Sequence, residues 1–107
     1  MRYANLIPHS HIARTADPRL TADARRAFTR AKAAVNVCTE SAKHFARTVA
    51  PLVNRDGTFD RSAIMRAATR AAQARMEVTG DAWGECMSFA LKGAWAAAKS
   101  SRLVRAH

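Results

Sequence analysis

Apolar residues recur with helical spacing in three stretches of the chain, separated by short polar or proline-bearing breaks. In the first stretch Phe28, Ala31, Val35, Cys38, Ala42, Phe45 and Val49 follow at intervals of 3, 4, 3, 4, 3 and 4. That period lays a single stripe along an α-helix. Thr21 offers a cap oxygen, and Asp23 offers a negative charge for the positive end of the helix dipole. Pro51 lacks an amide proton and disfavours helix in the residue before it, so the helix is expected over Thr21–Ala50. Its stripe reads as the core-facing side of a bundle helix, or else as the seam of a homodimer.

The second stretch begins at Asp60, whose carboxylate can accept from the free amides of a first helical turn. Phe59 and Ile64 flank that start with the spacing of a hydrophobic staple. At 100° per residue Ile64, Met65, Ala67, Ala68, Ala71, Ala72, Met76 and Val78 share one broad arc, and Arg66, Arg70, Gln73 and Glu77 share the other. Gly80 can adopt the left-handed conformation that ends a helix, which gives Asp60–Thr79. A third helix, Asp81–Ser100, follows after Thr79 or Asp81 as cap, with Trp83, Met87, Leu91, Ala94, Trp95 and Ala98 on its apolar stripe. Gly84 and Gly93 each weaken it by about 1 kcal/mol relative to alanine. Each is either a point of close backbone approach or a tolerated defect. The short link makes the last two helices an antiparallel αα-hairpin, or else a pair crossing at a wider angle.

The predicted fold is therefore all-α: a small three-helix bundle, with residues 1–20 as an irregular N-terminal arm and 21–107 as one helical domain. Pro8 and Pro18 punctuate the arm, from which Tyr3, Leu6, Ile7 and Ile12 could dock on the helices. The expected core is Phe28, Val35, Cys38, Phe45, Ile64, Met65, Ala68, Met87, Leu91 and Trp95. Asn54-Arg55-Asp56-Gly57 reads as a turn, and Ser100–His107 as a short basic tail.

Two parts of the hairpin also carry a resemblance. Ser62-x-Ile64-Met65-x-x-Ala68, with Ser88-Phe89-x-Leu91-x-x-Ala94-Trp95-x-x-Ala98-Lys99 after a gap, is similar to a C-terminal tail of small uncharacterised phage and mobile-element proteins. Phe89 and Leu91 stand two residues closer than in those tails, so Trp83-Gly84-Glu85-Cys86-Met87 is an alternative match for the serine–aromatic part. The resemblance covers about 40 residues, mostly apolar. It implies a mobile-element context and a packed core, and it points to no active site.

Charge changes the picture more than composition does. The net charge is +10, and fourteen of the eighteen basic residues are arginine. The planar arginine fork suits phosphate and carboxylate. A GC-rich genome enriches arginine and alanine too, so a merely solvated basic shell is the competing reading. The residues placed at the contact are Arg25, Arg26, Arg30, Lys43, Arg47, Arg66 and Arg70, all off the apolar stripes. Arg26/Arg30 and Lys43/Arg47 are four apart, so each pair repels unless an anion lies between its members.

Other chemistry is sparse. Cys38 and Cys86 form no C-x-x-C and sit among apolar neighbours, which suits small hydrophobes in a reducing compartment. His9 and His11 have no third ligand nearby, so no metal is expected. Asp56–Asp60 lacks the alternating ligands of a calcium loop. No nucleophile–base–orienter set or glycine-rich phosphate loop can be assembled, so neither catalysis nor a cofactor is expected. No apolar run is long enough for a signal peptide or a membrane span, and a cytoplasmic location in a bacterial host cell is expected. The favoured function is a basic helical accessory protein of a phage or mobile element that binds nucleic-acid backbone or a nucleoprotein complex. The alternatives are a host-defence inhibitor of the anti-CRISPR kind that meets an acidic protein surface, and a structural helical dimer.

Overall fold

A computed structural model describes residues 18–106, with side chains from 21 to 104. It contains three helices: α1 (Pro18–Thr48), α2 (Arg61–Thr79) and α3 (Trp83–Ala106). The expected all-α architecture is the one observed. The arm residues Tyr3, Leu6, Ile7, His9, His11 and Ile12 lie outside the described residues. Helix α1 begins at Pro18, three residues before the expected Thr21. Proline is compatible with a first helical position, where its missing amide proton would have no partner.

The chain divides into two compact units, Met1–Arg30 and Ala31–His107. No described side chain of the first unit is buried, and Phe28 is 70 % exposed. Phe28 is thus not a core residue. Its spacing continues the stripe, but its unit provides no buried apolar neighbours among the described residues.

In the second unit the three helices form a bundle whose core is largely alanine. Ala42, Ala63, Ala67, Ala68, Ala71 and Ala72 are buried beside Cys38, Phe45, Leu52, Ile64, Cys86 and the alanines of α3. Each alanine removes little area from water, at about 25 cal/mol per Å². Its short side chain compensates by letting neighbouring helices approach. Gly93 takes this furthest: a Cβ there would lie 2.7 Å from both Cys38 Cβ and the Thr39 amide nitrogen. Close approach is therefore the role of Gly93, whereas a Cβ at Gly84 would meet nothing within 4 Å.

Close packing also narrows the buried arc of α2. Ala63, Ile64, Ala67, Ala68, Ala71 and Ala72 are inside, but Met65 is 50 % exposed, and Met76 and Val78 are exposed as well. Met65, on the expected core list, is thus not a core residue. It stands one position beyond Ile64, past the arc that α1 and α3 reach. Val35 is half-buried, and Met87, Leu91 and Trp95 pack against the core from its edge.

The connections follow their local chemistry. Helix α1 ends at Thr48, and the amides of Val49 and Ala50 both donate to the Phe45 carbonyl. The loop that follows buries Leu52 and Val53, neither of which the helical periodicity picks out. Val53 makes an antiparallel bridge to Phe59 around the expected Asn54–Gly57 turn, where Asp56 Oδ1 accepts from the Thr58 amide at 3.0 Å. Asp60 caps α2, accepting from the Ala63 amide at 3.0 Å. Gly80 ends it at φ 74°, its amide donating to the Met76 carbonyl at 2.9 Å. Helix α3 starts at Trp83, with the Cys86 amide donating to Ala82, and runs six residues past Ser100 to Ala106. Asp81 does not cap it, because its carboxylate turns back to Arg75 at 3.4 Å.

Candidate anion-binding faces

The seven basic side chains singled out in the sequence fall into separate places. Arg25, Arg26 and Arg30 belong to the Met1–Arg30 unit and are exposed, with Arg26 ion-paired to Asp23. The other four belong to the Ala31–His107 unit, where they form two pairs.

Arg66 and Arg70 are one turn apart on α2 and both exposed. Their guanidinium carbons lie 5.7 Å and 5.5 Å from the centroid of the same ring, that of Phe45 on α1. Phe45 is only 4 % exposed and held by the core, so the two cations rest on a fixed support. Like charges one helical turn apart repel, and each ring contact offsets this by about 0.5–1 kcal/mol. The pair borders an open concavity of about 430 Å³, lined also by Ser62, Met65 and Thr69. The Thr69 hydroxyl donates to the Met65 carbonyl at 2.9 Å, which leaves its oxygen as an acceptor. No carboxylate pairs with either arginine among the described residues.

Lys43 and Arg47 line a different concavity, of about 240 Å³, between α1 and α3. Leu52 and Ala97 lie in its lining, together with the hydroxyl residues Ser100 and Ser101. Lys43 Nζ is 3.4 Å from Glu40, so one of the two charges already has a partner. Arg47 has none among the described residues.

Two further arginines hold positions that the pattern missed. Arg102 lies 4.5 Å over the ring of Phe59, which meets Trp95 edge-on at 5.2 Å and 82°. The expected tail is helix here, which is why Arg102, Ser100 and Ser101 reach the bundle. Arg75 lies 5.3 Å over the Phe89 ring and pairs with Asp81, while its Nε is buried without a hydrogen-bond partner among the described residues. One signal was available, since Arg75 falls four residues after Ala71 and seven after Ala68, in the core register. Burial pushes the Cys38 thiol above its ordinary pKa; the charge of Arg75 opposes the shift and Cys86 adds to it. Both cysteines are free and buried.

No group of three histidine, cysteine or acidic residues that could hold a metal occurs among the described residues. No helix among them is long and apolar enough to cross a membrane. No protein-family model, curated protein or solved structure matches the chain.

Proposed function

We propose that this protein is a small basic accessory protein of a phage or mobile element, that it binds nucleic acid through the phosphate backbone, alone or within a nucleoprotein complex, and that it is a binder and not a catalyst. The observation that carries the reading is the Arg66–Arg70 pair, two exposed guanidiniums without carboxylate partners among the described residues, braced on one buried ring. A phosphate between them relieves their repulsion and finds their donors already ordered, so binding loses less side-chain entropy. The net charge of +10 adds a long-range attraction for polyanions. Bases are not read in this mode, because the residues involved reach for charge, which is uniform along a backbone.

Fluorescence anisotropy with a labelled duplex and a labelled single strand tests this. Binding is expected at about 50 mM salt, and log K should fall linearly with log salt as counterions are released. Sequence changes in the probe should matter little. The Arg66→Lys/Arg70→Lys variant keeps the charges and should retain most of the slope. An absence of binding at about 50 mM salt, where backbone attraction is strong, overturns the proposal. In that case a tight complex with a defined host protein, the mark of an inhibitor, becomes the function to seek.

A further inference from the structure

The two basic pairs differ in direction as well as in surroundings. At about 100° per residue, Lys43 and Arg47, two residues either side of Phe45, each stand about 160° away from it around α1. Phe45 is the ring under Arg66 and Arg70, so the two pairs lie on opposite flanks of that helix. Each flank sets its cations beside hydroxyls in a concavity of its own, Ser62 and Thr69 in one, Ser100 and Ser101 in the other. Cations with hydroxyls beside them are the usual partners of phosphate oxygens. The strip of α1 between the flanks presents Val37, Glu40, His44 and Thr48 to solvent. It carries a carboxylate and no lysine or arginine, so the two flanks are not one continuous basic track.

We infer that the protein bridges: one molecule holds two nucleic-acid segments at once, the first on Arg66 and Arg70, the second on Lys43 and Arg47. The inference rests on the phosphate reading above and adds a second, simultaneous contact to it. One segment serving both flanks must cross Glu40 or bend around a helix about 10–12 Å wide. Duplex DNA keeps its direction over about 150 bp, so a short duplex follows neither route. Two segments reach both flanks without bending, and each meets its own cations and hydroxyls. The Lys43 ammonium already faces Glu40 at 3.4 Å, so the second flank holds its segment less tightly than the first.

The test tethers a duplex of about 16 bp, too stiff to wrap, to beads. It then measures capture of a second, fluorescent duplex of the same length by the full-length protein at about 50 mM salt. The wild type should capture it. Arg66→Gln/Arg70→Gln and Lys43→Gln/Arg47→Gln should each reduce capture at least about tenfold. Lys43→Gln/Arg47→Gln should still bind a lone duplex in fluorescence anisotropy, through Arg66 and Arg70. Lys92→Gln/Lys99→Gln removes the same charge from exposed positions of α3 and should leave capture within about twofold of the wild type. An equimolar mixture of the two pair variants should not restore capture, because bridging needs both flanks on one molecule. Lone-duplex binding without capture overturns the inference and leaves the phosphate reading standing. So does an equal loss in Lys92→Gln/Lys99→Gln, the mark of condensation by bulk charge, or recovery in the mixture, the mark of a protein dimer. A lone duplex left unbound overturns the phosphate reading itself, and the inference with it.

Discussion

Arg66/Arg70 and Lys43/Arg47 are the same feature in sequence, two cations four residues apart on a helix, yet their surroundings differ. The first pair rests on the buried Phe45 ring and has no carboxylate partner among the described residues. The second has Glu40 on its lysine and two serines across a groove. A repelling pair is tolerated in both places for different reasons, one through a shared ring and the other through partial neutralisation. What separates them is the neighbouring helix, which spacing along one helix does not describe.

The sharpest way to break this comparison is Phe45→Ala. It removes the support under both arginines and opens a cavity, so stability should fall by about 3–5 kcal/mol in urea unfolding. A loss below about 1 kcal/mol would mean that the ring is not buried as described. Next in size is Gly93→Ala, which must push α1 away from α3 at Cys38 and Thr39. It should cost about 1–3 kcal/mol. Amide signals of Ser100 and Ser101 should shift while those of Ser62 and Thr69 stay in place; shifts at all four would show that the two faces are not separable. Arg66→Gln/Arg70→Gln should lose the two ring contacts, about 1–2 kcal/mol together, less the roughly 0.2–0.5 kcal/mol of mutual repulsion that it also removes. No measurable loss there would show that the guanidiniums do not rest on the ring in solution. The smallest effect belongs to Lys43→Gln, whose exposed ion pair with Glu40 should contribute less than about 1 kcal/mol. A greater loss would mean that Lys43 has a structural role that its groove does not reveal.

How far the sequence could be read varies from residue to residue. Asp60 and Gly80 were legible because capping is local: one carboxylate meets one amide, and one glycine takes positive φ. Phe28 and Phe45 stand on one stripe with one spacing, yet the first is exposed and the second buried. Periodicity reports amphipathicity and says nothing of whether another element covers the face. Met65 failed for a related reason, since alanine packing leaves a narrower covered arc than the apolar pattern implies. Leu52 and Val53 are buried in a loop, where no helical period applies. Of the candidate site, the identities of Arg66 and Arg70 were legible from charge. Their common ring on α1 was not, because that pairing depends on the interhelical geometry.

The central claim is that the two basic pairs are unequal and that Arg66 with Arg70 makes the main phosphate contact. Its most direct test is the salt dependence of duplex affinity, measured for the wild type, Arg66→Gln/Arg70→Gln and Lys43→Gln/Arg47→Gln under one protocol. Each lost phosphate contact on duplex DNA should reduce the slope of log K against log salt by about 0.9. The account predicts a reduction of about 1.8 for the first variant and about 0.9 or less for the second. Equal reductions in the two variants, or an unchanged slope for Arg66→Gln/Arg70→Gln in a folded protein, would contradict it.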